Sequence, residues 1–281
     1  MIKTILKLLV CIIVYTVVFM AANALMPFSQ GFKDLSASED PAGLLLQLIN
    51  MAWVCFTIYF IVRNANFSGL KLFFFLLGTM FFVQQFMTQI ETLLFGFAFP
   101  VLKKSDVIMI MLAGLFPLAA VIPLMIKFFK NSSTIPEKPE FSIKKLIPKL
   151  AVIGLLYCII YSLFGFFIAW RFEELRNFYT GLEETLSFGN RIIGFEPILL
   201  IIQMIRGILF GIFIIPLRMI IVKSKKTFII GVCLVYLCTA AMLVAPNVLM
   251  PGMVRIGHLL EMTSSMLLFG IIAGNLLWGK S

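Results

Sequence analysis

Apolar runs long enough to cross a bilayer alternate with short polar breaks along almost the whole chain. A helix needs about 20 apolar residues to span the hydrocarbon layer. Segments of that kind cover 5–26, 43–63, 70–98, 106–129, 147–170, 195–222, 227–248 and 253–278. The pattern predicts an all-α fold, a polytopic membrane bundle of about eight transmembrane helices, numbered here as the first to eighth spans. Composition agrees. Of 281 residues 61% are hydrophobic, only 13% are charged, and the mean hydropathy is +1.06. A soluble domain of this size has too little interior to hide so many apolar side chains.

The net charge of +10 changes meaning in this setting. On a soluble protein it would point to nucleic acid; here the basic residues cluster at span ends, where the positive-inside rule explains them, and no nucleic-acid partner is expected. With the N-terminus in the cytoplasm, fifteen lysines and arginines fall inside (among them Lys3, Lys7, Arg63, Lys71, Lys127, Lys130, Arg218, Lys223 and Lys280). Six fall outside: Lys33, Lys103, Lys104, Arg171, Arg176 and Arg191. An even number of spans returns the C-terminus to the cytoplasm beside Lys280. The expected location is the cell membrane, multi-pass, with both termini cytoplasmic. Ala22-Asn23-Ala24 after an apolar run has the form of a signal-peptidase site, but the fifth span resembles the first and lies mid-chain, so a retained first helix is expected. Cys11, Cys55, Cys158, Cys233 and Cys238 all lie in apolar segments with no CxxC spacing, and read as buried small hydrophobes rather than disulfides or zinc ligands.

A weak internal similarity divides the chain. Lys7-Leu8 opens the first span and Lys149-Leu150 the fifth, each followed by a tyrosine-containing apolar run. Gln47 precedes Arg63 by 16 residues and Gln203 precedes Arg218 by 15; Arg63 then precedes Lys71 by 8, as Arg218 precedes Lys226. This predicts two four-helix repeats in parallel orientation, 1–130 and 146–281, joined by a polar cytoplasmic linker at 131–145. Sites in repeat-built transporters lie between the repeats. Chance similarity among apolar segments gives the same spacings without duplication.

Polar residues inside the spans are not spread evenly. The third span carries Gln84, Gln85, Thr88, Gln89, Glu91 and Thr92, which at 100° per residue occupy one arc of roughly 160°. Such a face avoids lipid. Arg255, His258, Glu261 and Ser265 share a face in the first turns of the eighth span, and His258 is the only histidine. Glu196, Gln203 and Arg206 align at the start of the sixth span, with Gly207 beside them; Gln47, Asn50 and Thr57 align on the second. All lie near the outer surface, and the inner halves hold little besides Asn275. The expectation is a polar pocket opening to the extracytoplasmic side, built mainly from the second, third, sixth and eighth spans. Its candidate substrate or proton site comprises Glu91, His258, Glu261, Arg206, Gln85, Gln89, Thr88, Gln203, Gln47, Asn50, Arg255 and Ser265. The same polar groups also serve as interhelical glue in static bundles, with Glu91 neutralising Arg206 and Glu261 neutralising Arg255.

A histidine beside two embedded carboxylates is the composition of a proton relay. The i, i+3 spacing of His258 and Glu261 also occurs in helical metal sites, but one histidine without HExxH is a weak metal signal, and no metal or other cofactor is expected. Glu173, Glu174 and Arg176 do not reproduce the glutamate-pair motif of the CAAX-protease membrane family, which sets its arginine four residues after the second glutamate and uses histidines on later helices. That outer loop, 171–191, reads either as an interfacial helix over the pocket mouth or as a plain connector. Gly207-x-x-x-Gly211 and Gly270-x-x-x-Gly274 permit close helix approach; Pro117, Pro123 and Pro216 kink their spans. No phosphate-binding loop or dinucleotide fingerprint is present. The leading expectation is a transporter or permease for a small solute or lipid-like molecule, coupled to protons. The alternatives are an intramembrane enzyme acting on lipid or peptide at the outer leaflet, and a non-catalytic membrane partner or sensor subunit. The bilayer and the substrate are the partners expected, with homo-oligomerisation open.

Overall fold

The computed structural model describes residues 2–36, 42–94, 96–130, 142–180, 197–247 and 249–278. Most of the 131–145 linker and Glu196 lie outside them. The described chain is helical, with one isolated bridge between Asn247 and Met250 and no strand. In chain order the helices are α1 (Ile2–Leu25), the short α2 (Gln30–Ser36), α3 (Ala42–Asn64), α4 (Gly69–Leu94) and α5 (Lys104–Phe129), then α6 (Ile143–Phe167), the short α7 (Glu173–Thr180), α8 (Pro197–Ile220), α9 (Lys225–Ala241) and α10 (Gly252–Trp278). Seven of them, all but α2, α7 and α9, are long and apolar enough to cross a membrane. The protein is an integral membrane bundle.

The seventh predicted span is where hydropathy and structure part. The apolar run continues to 248, but α9 ends at Ala241 after 17 residues, about 25 Å of helix against a hydrocarbon core of about 30 Å. Ten of its positions are buried, so lipid does not dictate its length. Beyond Ala241 the chain turns back through Pro246 and Pro251. Non-helical backbone at this depth survives only where protein or a cavity supplies partners, and here they are present. Asn247 Oδ1 accepts from the N–H of Leu249 and of Met250, at 3.1 and 3.0 Å. Arg255 Nη1 donates to the carbonyls of Leu243 and Val244, each at 2.8 Å. Arg255→Leu strands both carbonyls. We expect it to cost about 2 kcal/mol, seen as a melting temperature about 5 °C lower in detergent and faster amide exchange confined to 243–250.

Several helix pairings have counterparts in the other part of the chain, although α8 also touches α9 with no comparable contact between α3 and α4 among the described residues. In the first half α1 packs on α3 and α5, and α4 on α5; in the second α6 packs on α8 and α10, and α9 on α10. Across the divide α3 meets α9 while α4 meets α8, and α4 and α9 also touch each other. Exchanging the halves leaves this set of pairs unchanged, and a short helix follows the first span of each half. The short helices are tied alike. Ser29, at the start of α2, gives its N–H and hydroxyl to Asp106 in the first turn of α5, at 2.7 and 2.6 Å. Tyr179 of α7 hydrogen-bonds His258 in the first turns of α10 at 3.1 Å.

Small residues set the tightest seams. A Cβ on Gly207 would sit on Tyr157 and 2.9 Å from Gly154 Cα, which locks α8 to α6; Gly270 and Gly274 meet Cys233 and Ile229 in the same way between α10 and α9. The five cysteines are free thiols, four of them buried. At the lysine-rich end of the bundle, Ile58, Ile61, Leu72, Leu76, Leu217, Phe228 and Ala273 fill the interior with no exposed surface. At the opposite end the shortened α9 leaves the interior unfilled.

Candidate functional site

The space above α9 is a cavity of about 1330 Å³. Every membrane-spanning helix lines it from the end where α1, α4 and α6 finish and α3, α5, α8 and α10 begin. Gln84, Gln85, Thr88, Gln89, Glu91 and Thr92 of α4 all face it. The local cause is a π-helical stretch at Phe81–Phe86. Its wider turn departs from the uniform 100° step, so that consecutive Gln84 and Gln85 are both buried. Gln85 fills the notch over Gly114, where α5 has no side chain.

Of the twelve candidate residues nine line the cavity: Glu91, Gln85, Thr88 and Gln89 from α4, Gln47 and Asn50 from α3, and His258, Glu261 and Ser265 from α10. Glu91 and Glu261 face the same space. Arg206 and Gln203 stand behind it on α8. Arg206 is 3% exposed and grips Glu91 with both terminal nitrogens, at 2.8 and 3.2 Å, while Nη1 also donates to Gln203 Oε1 at 2.8 Å. Arg255 does not line the cavity and does not neutralise Glu261. Helical side chains lean toward the N-terminus, so from the first turn of α10 it reaches back onto the turn after α9.

The second ionisable group is a chain of three side chains. Tyr179 Oη lies 3.1 Å from His258 Nε2, and His258 Nδ1 lies 3.9 Å from Glu261 Oε2, within ion-pair but not hydrogen-bond reach. Ser265 Oγ donates to Glu261 Oε1 at 3.2 Å. Burial, reinforced by Glu91 and Glu261, raises the Tyr179 pKa. Tyr179 therefore holds its proton and can donate it in the contact with His258 Nε2. Ser264 bonds to the Leu260 and Glu261 carbonyls, so it is no nucleophile paired with the histidine. Among the described residues no three histidine, cysteine or carboxylate groups converge on a common metal position.

The largest departure from the sequence reading is in which spans build the wall. α8 supplies only Leu199 to the lining, whereas α6 supplies Tyr157, Ile160, Tyr161, Ser162, Gly165 and Phe166, and α1 supplies Tyr15, Phe19, Met20, Asn23 and Ala24. Tyr157 and Tyr161 are one turn apart and stack at 6.3 Å. Arg206 lies 5.8 Å from the Tyr157 ring. The sequence signal is limited to the tyrosine hydroxyls in mid-span, which need a polar partner or water but do not specify which. The outer loop forms α7, whose Leu175 packs with Ala169 and Val254 while Tyr179 faces the cavity; its 181–191 portion lies outside the described residues. Phe178 of α7 meets Phe99 of the first half at 5.7 Å, across the rim. Set against models of known protein families, curated proteins and solved structures, the chain matches none of them.

Proposed function

We propose that this protein is a membrane transporter for a small solute or lipid-like molecule, built from two parallel four-helix repeats and coupled to protons. By the positive-inside rule the lysine-rich end is cytoplasmic and the cavity opens outward. The observation that carries the reading is that one cavity, between halves that share several helix pairings, receives a carboxylate from each half: Glu91 from the first and Glu261 from the second. Embedded carboxylates facing a cavity mark ion or substrate paths. Tyr15 and Tyr157, each eight residues after the lysine that opens its repeat, both line the cavity and support the duplication. The packed apolar plug at the lysine-rich end is the closed gate of an outward-facing state. A volume above the 300–1,000 Å³ common for small-molecule pockets suits an amphiphile with a bulky apolar body.

Proteoliposomes with a trapped pH indicator test this. Gradients of cationic, neutral and anionic lipophilic dyes are imposed in turn. Wild type couples movement of at least one class to protons, and Glu91→Gln and Glu261→Gln each lower coupled flux at least tenfold per folded molecule. Undiminished flux in both variants removes protons from the mechanism. Turnover of a lipid or peptide with no net flux replaces transport by the enzyme reading.

A further inference from the structure

We infer that the occupant of the cavity is an organic cation, an apolar body carrying a positively charged nitrogen or phosphorus centre, held at Glu261. The inference rests on reading the cavity as a substrate site, and adds the charge class.

The argument begins with the fixed charges. Arg206 holds Glu91 and Gln203 with its terminal nitrogens while its Nε has no acceptor, and the charges of Arg206 and Glu91 offset each other. Among the described residues Glu261 has no lysine or arginine partner: its neighbours are the Ser265 hydroxyl at 3.2 Å and the His258 ring at 3.9 Å. Arg255, one turn before His258, is turned away onto the Leu243 and Val244 carbonyls. Lys33 is the remaining cation of the lining among the described residues, and it is exposed on α2 at the rim. The embedded chamber is therefore left with a carboxylate that no lysine or arginine among the described residues balances. A carboxylate in apolar surroundings is costly until something positive joins it.

Unused hydrogen-bonding capacity on residues of the cavity lining has the same sign, while the unused donors Gln203 Nε2 and Arg206 Nε belong to residues behind it. Asn50 Oδ1 and Gln84 Oε1 belong to side chains 5% and 1% exposed, both line the cavity, and neither oxygen has a donor. Such buried acceptors add negative partial charge to the wall, of the same sign as Glu261, which favours a positive occupant. The wall nearest Glu261 is aromatic. Tyr157 packs edge-on to Phe269 at 5.0 Å and stacks on Tyr161, and Tyr179 stands edge-on to the His258 ring at 5.5 Å. Aromatic faces beside an acidic group are the surroundings that hold quaternary and protonated nitrogen centres. An anionic headgroup would meet Glu261, beside which no lysine or arginine among the described residues stands to receive it.

Tetraphenylphosphonium and tetraphenylborate share shape and apolar surface and differ in charge, so their binding to the full-length protein in detergent isolates this claim. We expect wild type to bind the phosphonium at least tenfold more tightly than the borate. Glu261→Gln should weaken phosphonium binding at least tenfold, and Glu261→Asp should restore most of it. Equal affinities in wild type, a preference for the borate, or phosphonium binding unchanged in Glu261→Gln would overturn the inference. Flux in proteoliposomes separates it from the transport reading. A phosphonium that binds through Glu261 without being moved upholds the charge class while removing transport; a neutral or anionic lipid that is moved, with no phosphonium preference, removes the charge class and leaves transport standing.

Discussion

Glu91→Gln should lower the melting temperature of the detergent-solubilised protein by about 10 °C, more than Arg206→Gln, although the two substitutions break the same ion pair. Breaking a buried pair from one side costs about 3–5 kcal/mol, chiefly because a charge is left buried without a partner, and each kcal/mol is worth about 2–4 °C in a domain of 150–250 residues. The two residues differ in what they can do once abandoned. Arg206 is 3% exposed and a guanidinium cannot shed its proton. With a neutral glutamine at 91 it remains a cation enclosed by α4, α6 and α8, with only amide oxygens to receive it. The Glu91 side chain is 30% exposed to the cavity and can be hydrated there, so Arg206→Gln should cost about 1–2 kcal/mol. The double variant removes both charges and should recover most of the Glu91→Gln loss. A thermal-shift cycle over the four proteins measures this. Equal losses in the two single variants, or a double variant as unstable as their sum, would mean that the pair is not the enclosed contact between halves described above.

What could be read from the chain alone was depth and face. Glu91 and Glu261 lie 170 residues apart, yet counting turns from opposite span ends puts both near the same surface, and each lies among polar neighbours on one face. That reasoning places them in one cavity because embedded charge avoids lipid wherever it occurs in the sequence. It could not find the end of α9. Met242, Leu243, Val244 and Ala245 continue the apolar run, and hydropathy measures transfer to lipid rather than helicity; the helix stops because two prolines and two bonds from Arg255, eleven and twelve residues ahead of their acceptors, favour a turn there. Arg255 itself was assigned by its three-residue spacing from His258, a rule that locates a Cα on a face but ignores the backward lean of helical side chains. Tyr157 and Tyr161 went unassigned because tyrosine packs in apolar spans as readily as it lines wet ones, and only the neighbours of a hydroxyl distinguish the two. The π-helical turn at Phe81–Phe86 leaves no mark in the pattern, and it is what brings both Gln84 and Gln85 inward.

The other large effect is expected at a residue with no side chain. Gly207 lies next to Arg206 on α8, against Tyr157 and Gly154 of α6, so this one contact positions both the anchor of Glu91 and the aromatic wall of the cavity. A methyl group at 207 would overlap Tyr157 at its Cβ and stand 2.9 Å from Gly154 Cα. Neither is the movable tip of a side chain, so no rotamer change relieves the overlap, and the helices must separate by roughly 1 Å to restore ordinary carbon contact. Overpacking of this kind costs about 1–3 kcal/mol. The same displacement draws Arg206 away from Glu91 and adds part of the ion-pair loss, so Gly207→Ala should destabilise by more than steric strain alone, and Gly207→Leu should prevent recovery of folded protein. Gly78→Ala on α4 is the matched control. A Cβ there meets nothing within 4 Å, and relief of glycine's backbone entropy inside a helix should stabilise by about 0.5–1 kcal/mol. Opposite shifts for the two alanine variants in a thermal melt are the expected result. A Gly207→Ala protein as stable as wild type, with phosphonium binding intact, would mean that the α6–α8 seam is looser than described and that Arg206 is held in place by Glu91 rather than the reverse.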